Sequence, residues 1–150
     1  MRQASKLPKY TMTWIRQKLA ACGDRIACHE AGKAWSYAEF IELIDHAVTQ
    51  VPSKGAAVIE VQAPTTIEGL AMLLAIGETG HIALPLPPEL PEAEQDKMRL
   101  IANSSQLYNQ LEGSGLVLFS SGTSGEPKGM LHNLDALLSR YKNLSARKDR

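Results

Sequence analysis

The residues best suited to chemistry lie in one run, Ser120-Ser121-Gly122-Thr123-Ser124-Gly125-Glu126-Pro127-Lys128-Gly129, directly after the apolar stretch Val117-Leu118-Phe119. Gly122 and Gly125 can take backbone angles closed to other residues and let main-chain N–H groups come close to a ligand. Successive N–H groups in such a bend form a concavity for anions. Ser120, Ser121, Thr123 and Ser124 add hydroxyl donors, and Lys128 adds a mobile positive charge suited to phosphate oxygens. A flexible Ser/Gly linker would explain the small residues. It would explain neither the Pro-Lys-Gly ending nor the apolar run ahead of it.

Two common phosphate loops are excluded by spacing. A Walker loop needs a hydroxyl residue directly after its lysine, to hold magnesium, and opens a helix. Here Gly129 follows Lys128 and Pro127 precedes it. A dinucleotide fingerprint needs G-x-G-x-x-G, which Gly122 and Gly125 do not supply. Other reactive side chains are sparse. Cys22 and Cys28 are too few and too close for a disulfide framework and read as buried thiols. His29 lies beside Cys28 on an expected strand, so the two point to opposite faces and make a poor metal pair. His46 and His81 read as structural, His132 as a surface or core histidine despite its place near the loop, and Glu126 as an exposed tip residue.

The elements that must hold the loop can be read from periodicity. Met12–Cys22 has helical spacing, with Gly23 to end it. Two short strands, Arg25–Glu30 and one around Ala34-Trp35, are expected to join at Gly32-Lys33. Ser36 and Glu39 make a capping box for a helix that carries Phe40, Leu43, Ile44, Ala47 and Val48 on one face and ends near Pro52. Trp35 and Tyr37 should pack where that helix begins. Ala56–Val61 reads as a strand, Thr65 with Glu68 as a second capping box, Ile67–Glu78 as a largely apolar helix stopped by Gly80, and His81–Leu84 as a strand. Strand, helix and strand make a right-handed βαβ unit. The proline-rich Pro85–Pro91 reads as an extended connector, Glu92–Ala102 as a helix with a charged outer face, and Leu116–Phe119 as the strand feeding the loop. Leu134–Leu144 forms a last amphipathic helix, with Asp135 favouring its N-terminus through the dipole.

The chain has 150 residues, 44% of them apolar, enough for one domain with a core. Sixteen basic residues balance sixteen acidic ones, which gives no electrostatic reason to invoke nucleic acid or an anionic membrane surface. No run approaches the roughly 18 apolar residues of a membrane span, and the first residues lack the core of a signal peptide. A reducing cytoplasmic setting fits. No strand follows the last helix, although that helix would ordinarily cover one. The expected fold is α/β, a partly parallel sheet with helices on its faces, incomplete on its C-terminal side and with an apolar face through which it could associate.

The run from Ser120 to Gly129 closely resembles the core motif of adenylate-forming enzymes, the superfamily of acyl-CoA synthetases, nonribosomal peptide adenylation domains and luciferases. That pattern runs small-small-Gly-Thr-Ser/Thr-Gly-x-Pro-Lys-Gly after an apolar strand, and every position is met. Gly32-Lys33-Ala34-Trp35-Ser36-Tyr37-Ala38-Glu39-Phe40 is similar to the family's early Gly-x-x-x-Thr-Tyr-x-Glu-Leu segment, with Ser36 and Phe40 as conservative departures. Val58 through Leu86 is similar to the next block. The resemblance implies that residues 1–150 are the N-terminal part of an AMP-binding domain, without its C-terminal remainder and lid. It implies that Ser120, Ser121, Gly122, Thr123, Ser124, Gly125 and Lys128 contact the β- and γ-phosphates of ATP, with Mg2+ carried on the phosphates. A carboxylic acid would attack the α-phosphorus and pyrophosphate would leave, with CoA as one possible later acceptor.

The family's acyl-pocket segment, adenine-side Tyr-Gly-x-Thr-Glu segment, ribose-binding Asp, hinge and C-terminal lysine have no counterpart in these residues. The 150 residues alone are therefore expected to be inactive. The segment Gly129–Asn133 and the connector from Leu84 to Leu116 are shorter than the family's, which leaves the substrate class open. Two other functions compete: a phosphate- or nucleotide-binding remnant or half that pairs with a separate chain, and a phosphoryl-transfer enzyme of another lineage.

Overall fold

The computed structural model describes residues 10–53, 57–104, 113–121 and 125–140. Its elements run α1 (Tyr10–Cys22), β1 (Ile26–Glu30), β2 (Lys33–Ser36), α2 (Tyr37–Gln50), β3 (Val58–Gln62), α3 (Ile67–Thr79), β4 (Ile82–Leu86), α4 (Glu92–Ala102), β5 (Gly115–Ser121) and β6 (Pro127–Asn133). Residues 134–140 are helical. Strands β1 and β2 form a two-stranded antiparallel sheet. The other four make one sheet in the order β3-β4-β5-β6, parallel from β3 to β5, with β6 antiparallel to β5. This is the expected α/β architecture with a partly parallel sheet and helices on its faces.

The small hairpin turns at Ala31-Gly32, one residue earlier than the sequence suggested. Both residues have positive φ, +49° and +79°, the pattern of a tight two-residue hairpin turn. Behind it the capping box is complete: the Glu39 N–H donates to Ser36 Oγ at 3.1 Å, and the Ser36 N–H donates to the Glu39 carboxylate at 2.8 Å. Helix α2 then buries Phe40, Ile44 and Ala47. Phe40 and Ile44 pack with Ile67 and Ala71 of α3, flanked by Leu19, Cys28 and Trp35.

The cap of α3 falls on Thr66, not Thr65. Thr66 Oγ1 accepts from the Gly69 N–H at 3.0 Å. The third helical residue is then Gly69, which has no carboxylate to complete a box. The Thr66 N–H, which such a carboxylate would take, donates instead to Ala63 O at 3.0 Å, and Glu30, from β1, accepts the next free amide, the Ile67 N–H, at 2.9 Å. Gly80 ends the helix in the left-handed region at φ +80°.

Strand β4 continues through Pro85 to Leu86, where composition suggested the start of an extended connector. The Ile82 N–H donates toward β3, to Ala57 O, and His81 O accepts from β5, from the Gly115 N–H. By alternation the amide that Pro85 lacks would face β5. The β4–β5 ladder stops at Ala83 opposite Leu116, short of that missing donor, while the β3–β4 ladder on the other side continues through Pro85 to Leu86.

Helices cover the large sheet on both faces. On one, Val61, Ala83 and Leu116 pack with Ala47 of α2 and with Ala75 and Ile76 of α3. On the other, Ile82, Leu84, Leu86, Val117, Phe119 and Leu131 pack with Met98 and Ala102 of α4. Each fully buried side chain, such as Leu84 or Ile76, stabilises the fold by about 1.5–3 kcal/mol. His81 is buried between layers. Its Nδ1 accepts from the Ala57 N–H at 3.1 Å and its Nε2 lies 2.9 Å from Pro52 O, so the ring pins the end of α2 to the start of β4. Arg16 of α1 pairs with Glu78 of α3 and Asp45 of α2. The thiols are only partly buried, against expectation. Cys22 sits at the last turn of α1, with Sγ accepting from Arg25 at 2.9 Å, and Cys28 lies on a hairpin covered from one side.

Replacing Ser36 by Ala should cost about 1 kcal/mol in a denaturant titration. The Glu39 carboxyl is held below its ordinary value by the Ser36 N–H and then by Lys33. A depressed carboxyl stabilises above its unfolded value and loses that contribution as pH falls through the folded one. The wild type should therefore melt above Glu39→Gln at neutral pH, with the gap closing in acid.

Candidate functional site

Strands β3, β4 and β5 are parallel, so their carboxyl ends, Gln62, Leu86 and Ser121, share one edge of the sheet. Open α/β sheets bind ligands outside that edge. Ser120, Ser121 and Gly125–Gly129 lie at it. They belong to a hairpin: β5 leads in and β6 leads out, with Ser120 opposite Lys128 and Ser121 opposite Pro127. Strand β6 is the element that sequence reasoning missed, since Lys128-Gly129-Met130-Leu131-His132-Asn133 holds a glycine and no clean apolar alternation.

The register fixes which way each side chain points. The Leu134 N–H donates to Ser114 O at 3.0 Å, while the Gly115 N–H donates away, to His81 O of the neighbouring chain segment. Continued along the ladder, this alternation sets the backbones of Ser120 and Lys128 facing each other. Directly opposed residues share a face, so the Ser120 hydroxyl and the Lys128 ammonium project on the same side, the side of Leu116 and α3. Both residues are exposed. The next pair on the same face, Leu118 and Met130, is exposed as well, at 41% and 49%, on a stretch of this face that α3 leaves uncovered.

Of the seven expected phosphate contacts, the structure therefore brings Ser120 and Lys128 together and sets Ser121 at the end of β5. Gly125 has φ +76° and nothing within 4 Å of a Cβ built on it. Its requirement is conformational, a left-handed backbone that glycine adopts without strain. Gly122, Thr123 and Ser124 lie outside the described residues. Glu126 is exposed, with Lys97 of α4 4.0 Å away.

Gly129 has a different reason. A Cβ there would stand 2.8 Å from Ile101 Cγ2 and 3.2 Å from the Phe119 ring. Helix α4 lies directly on the strand that carries Lys128, which the sequence alone gave no sign of. At the same carboxyl edge, α3 begins at Ile67, and a Cβ on Gly69 would meet Ala63 O at 2.3 Å.

Two open cavities lie elsewhere. One, about 660 Å3, sits between α2, β3 and the start of α3, with Glu30, His46 and Glu68 in its lining. The other, about 480 Å3, lies by α1 and the end of α3 and is lined by Arg16, Glu78, Ser114 and Asp135. Neither includes Ser120, Gly125 or Lys128. Among the described residues no group of three or more His, Cys, Asp or Glu is placed to hold a metal ion, and no helix is long and apolar enough to cross a membrane.

No protein-family model matches the chain. Two curated proteins resemble it in sequence. One is the dapdiamide synthesis protein DdaD of Enterobacter agglomerans, 25% identical over 140 residues, covering 77% of this chain and 24% of that protein. The other is the probable non-canonical nonribosomal peptide synthetase CymA of Salinispora arenicola, 23% identical over 137 residues, covering 78% of this chain and 2% of that protein. The chain thus spans a quarter or less of these relatives. Among solved structures, the N-terminal subdomain of Klebsiella oxytoca NpsA, in complex with 3-hydroxyanthranilyl-AMSN, matches at a TM-score of 0.59 and 20% identity, over 82% of this chain and 39% of that one. The inhibitor-bound N-terminal domain of FACL13 from Mycobacterium tuberculosis matches at 0.59 and 16%, over 83% and 43%. These likenesses show the fold.

Asp135 lies in the first turn of the helical residues 134–140, where Asn133 caps the Ala136 N–H at 2.8 Å. Burial pushes its carboxyl up. A raised carboxyl opposes folding at neutral pH, and the opposition disappears as pH falls below the unfolded value. Asp135→Asn should therefore raise the melting temperature at pH 7 and leave it unchanged in acid.

Proposed function

We propose that this chain, which by motif and fold belongs to the adenylate-forming superfamily, supplies the phosphate-gripping N-terminal part of an adenylation domain that activates a small carboxylic acid with ATP. The observation that carries this reading is the placement of Ser120 and Lys128. They are exposed, opposed across one ladder, and stand at the carboxyl edge of three parallel strands, with Gly125 left-handed between them. The sequence likeness to a dapdiamide synthesis protein and a nonribosomal peptide synthetase supports the same reaction class. So does the fold shared with subdomains solved with an adenylate analogue and an inhibitor.

In this reading Ser120, Ser121, Thr123, Ser124, the amides around Gly122 and Gly125, and Lys128 hold the β- and γ-phosphates. The acid's carboxylate attacks the α-phosphorus. The bond to the β-phosphate oxygen breaks, and the electron pair leaves with pyrophosphate. Negative charge grows on that leaving group, so donors already aimed at it act in the transition state. Magnesium arrives as the ATP complex. The nucleoside and acyl pockets come from polypeptide outside these 150 residues, which by themselves grip the phosphates without turning over. The acid, and whether CoA or another nucleophile takes the acyl group, are set by those other pockets.

Co-expression with the remainder of an adenylation domain tests the reaction. The reading expects AMP and pyrophosphate from ATP and a carboxylic acid. ADP as product would point to phosphoryl transfer, and nucleotide binding without turnover would point to a non-catalytic half. In the restored protein Lys128→Ala should lower kcat/KM by about 100-fold, the scale of losing one charged transition-state contact. An unchanged rate removes Lys128 from the site.

A further inference from the structure

We propose that α4 sets the position of Lys128 and that Ile101 is its positioning residue; this rests on the phosphate-gripping reading above. Lys97 and Ile101 are four residues apart and share a face of α4. They reach the chain on either side of Pro127-Lys128, Lys97 just before β6 and Ile101 on it. Lys97 Nζ lies 4.0 Å from Glu126 Oε1, and Ile101 Cγ2 lies where Gly129 has no side chain, 2.8 Å from a Cβ built there. Strand alternation turns Gly129 toward α4 and Lys128 to the opposite face. The helix therefore backs the strand from behind while the ammonium projects in front, beside Ser120.

The two contacts differ in weight. An exposed ion pair at this distance contributes little. The steric contact decides, because a methyl group at that spacing must displace the Ile101 side chain or the backbone that carries it.

Helix α4 is itself anchored across the sheet. Arg99 Nε donates to Glu60 of β3 at 2.7 Å, and the same guanidinium bonds Glu92 and Asp96 of α4 at 2.8 Å each. One helix thus ties the edge strand β3 to the edge strand β6. The position of Lys128 is set against the whole sheet and not by the turn alone.

The test is a calorimetric titration of the 150-residue chain with inorganic tripolyphosphate, below the melting range of every variant. Gly129→Ala should weaken binding about tenfold. Ile101→Ala alone should weaken it about threefold, and the double variant should bind better than Gly129→Ala, because the new methyl enters the space Ile101 vacates. Losses that simply add overturn the inference, since a merely destabilised fold would show that pattern. Should Gly129→Ala not fold, Ile101→Ala decides: unchanged affinity overturns it. Absence of binding by the wild type overturns the phosphate-gripping reading itself. Wild-type binding indifferent to both substitutions removes α4 alone.

Discussion

Parallel pairing of β3, β4 and β5 is the constraint on which the rest depends. A parallel pair needs a crossover, and here the crossover from β3 to β4 is α3, while the one from β4 to β5 includes α4. The helices lie on opposite faces, so the sheet is sandwiched and its strands must be apolar on both sides. That is why Ile82, Ala83, Leu84 and Leu86 are all buried in β4. It also sends every parallel strand toward the same edge. The segment after β5 must emerge there, next to the N-terminus of α3, and in this chain that segment is the hydroxyl- and glycine-rich turn.

Reversal of the chain at that turn matters as much as its composition. In a Walker loop the glycines open a helix, and its N-terminus holds the phosphates. Here the chain returns as β6, and the helical residues begin only at 134. The lysine is thereby fixed by a ladder to the serine that precedes the turn. The ladder fixes the direction of the side chain, and α4 fixes how far the ladder can move. Lysine is a flexible point charge, so a rigid base limits the volume its ammonium samples.

Much of this was legible in the sequence. The Ser36 and Glu39 spacing foretold a reciprocal cap because both partners reach across one helical turn, and Glu92–Ala102 carried its boundaries in its charges and in Pro91. The errors share a cause. Thr65 and Thr66 are equally good caps by type, and only the packing of Gly69 against Ala63 and the capping by Glu30 from a distant hairpin choose between them. Pro85 groups with the proline-rich connector by composition, because the sequence does not show that β3 pairs with β4 on the side away from its missing amide. Cys22 and Cys28 look apolar by type, and their partial exposure comes from where α1 and the small hairpin sit. Strand β6 was hidden because its partner, β5, and not its own propensity makes it a strand.

The candidate site divides along the same line. Its chemical groups were visible as types in order, since hydroxyls, glycines and a lysine keep their meaning without a fold. Their supports were invisible, because Ile101, Phe119 and Lys97 are ordinary residues until the topology lays α4 across β6. Gly129 is the residue where the two kinds of information meet. From sequence it is only the last position of a loop motif. In the structure it has no positive φ and sits under Ile101, so its lack of a side chain serves close approach. Gly125 and Gly129 therefore fill the same motif for opposite reasons, one to turn the chain and the other to let a helix press against it.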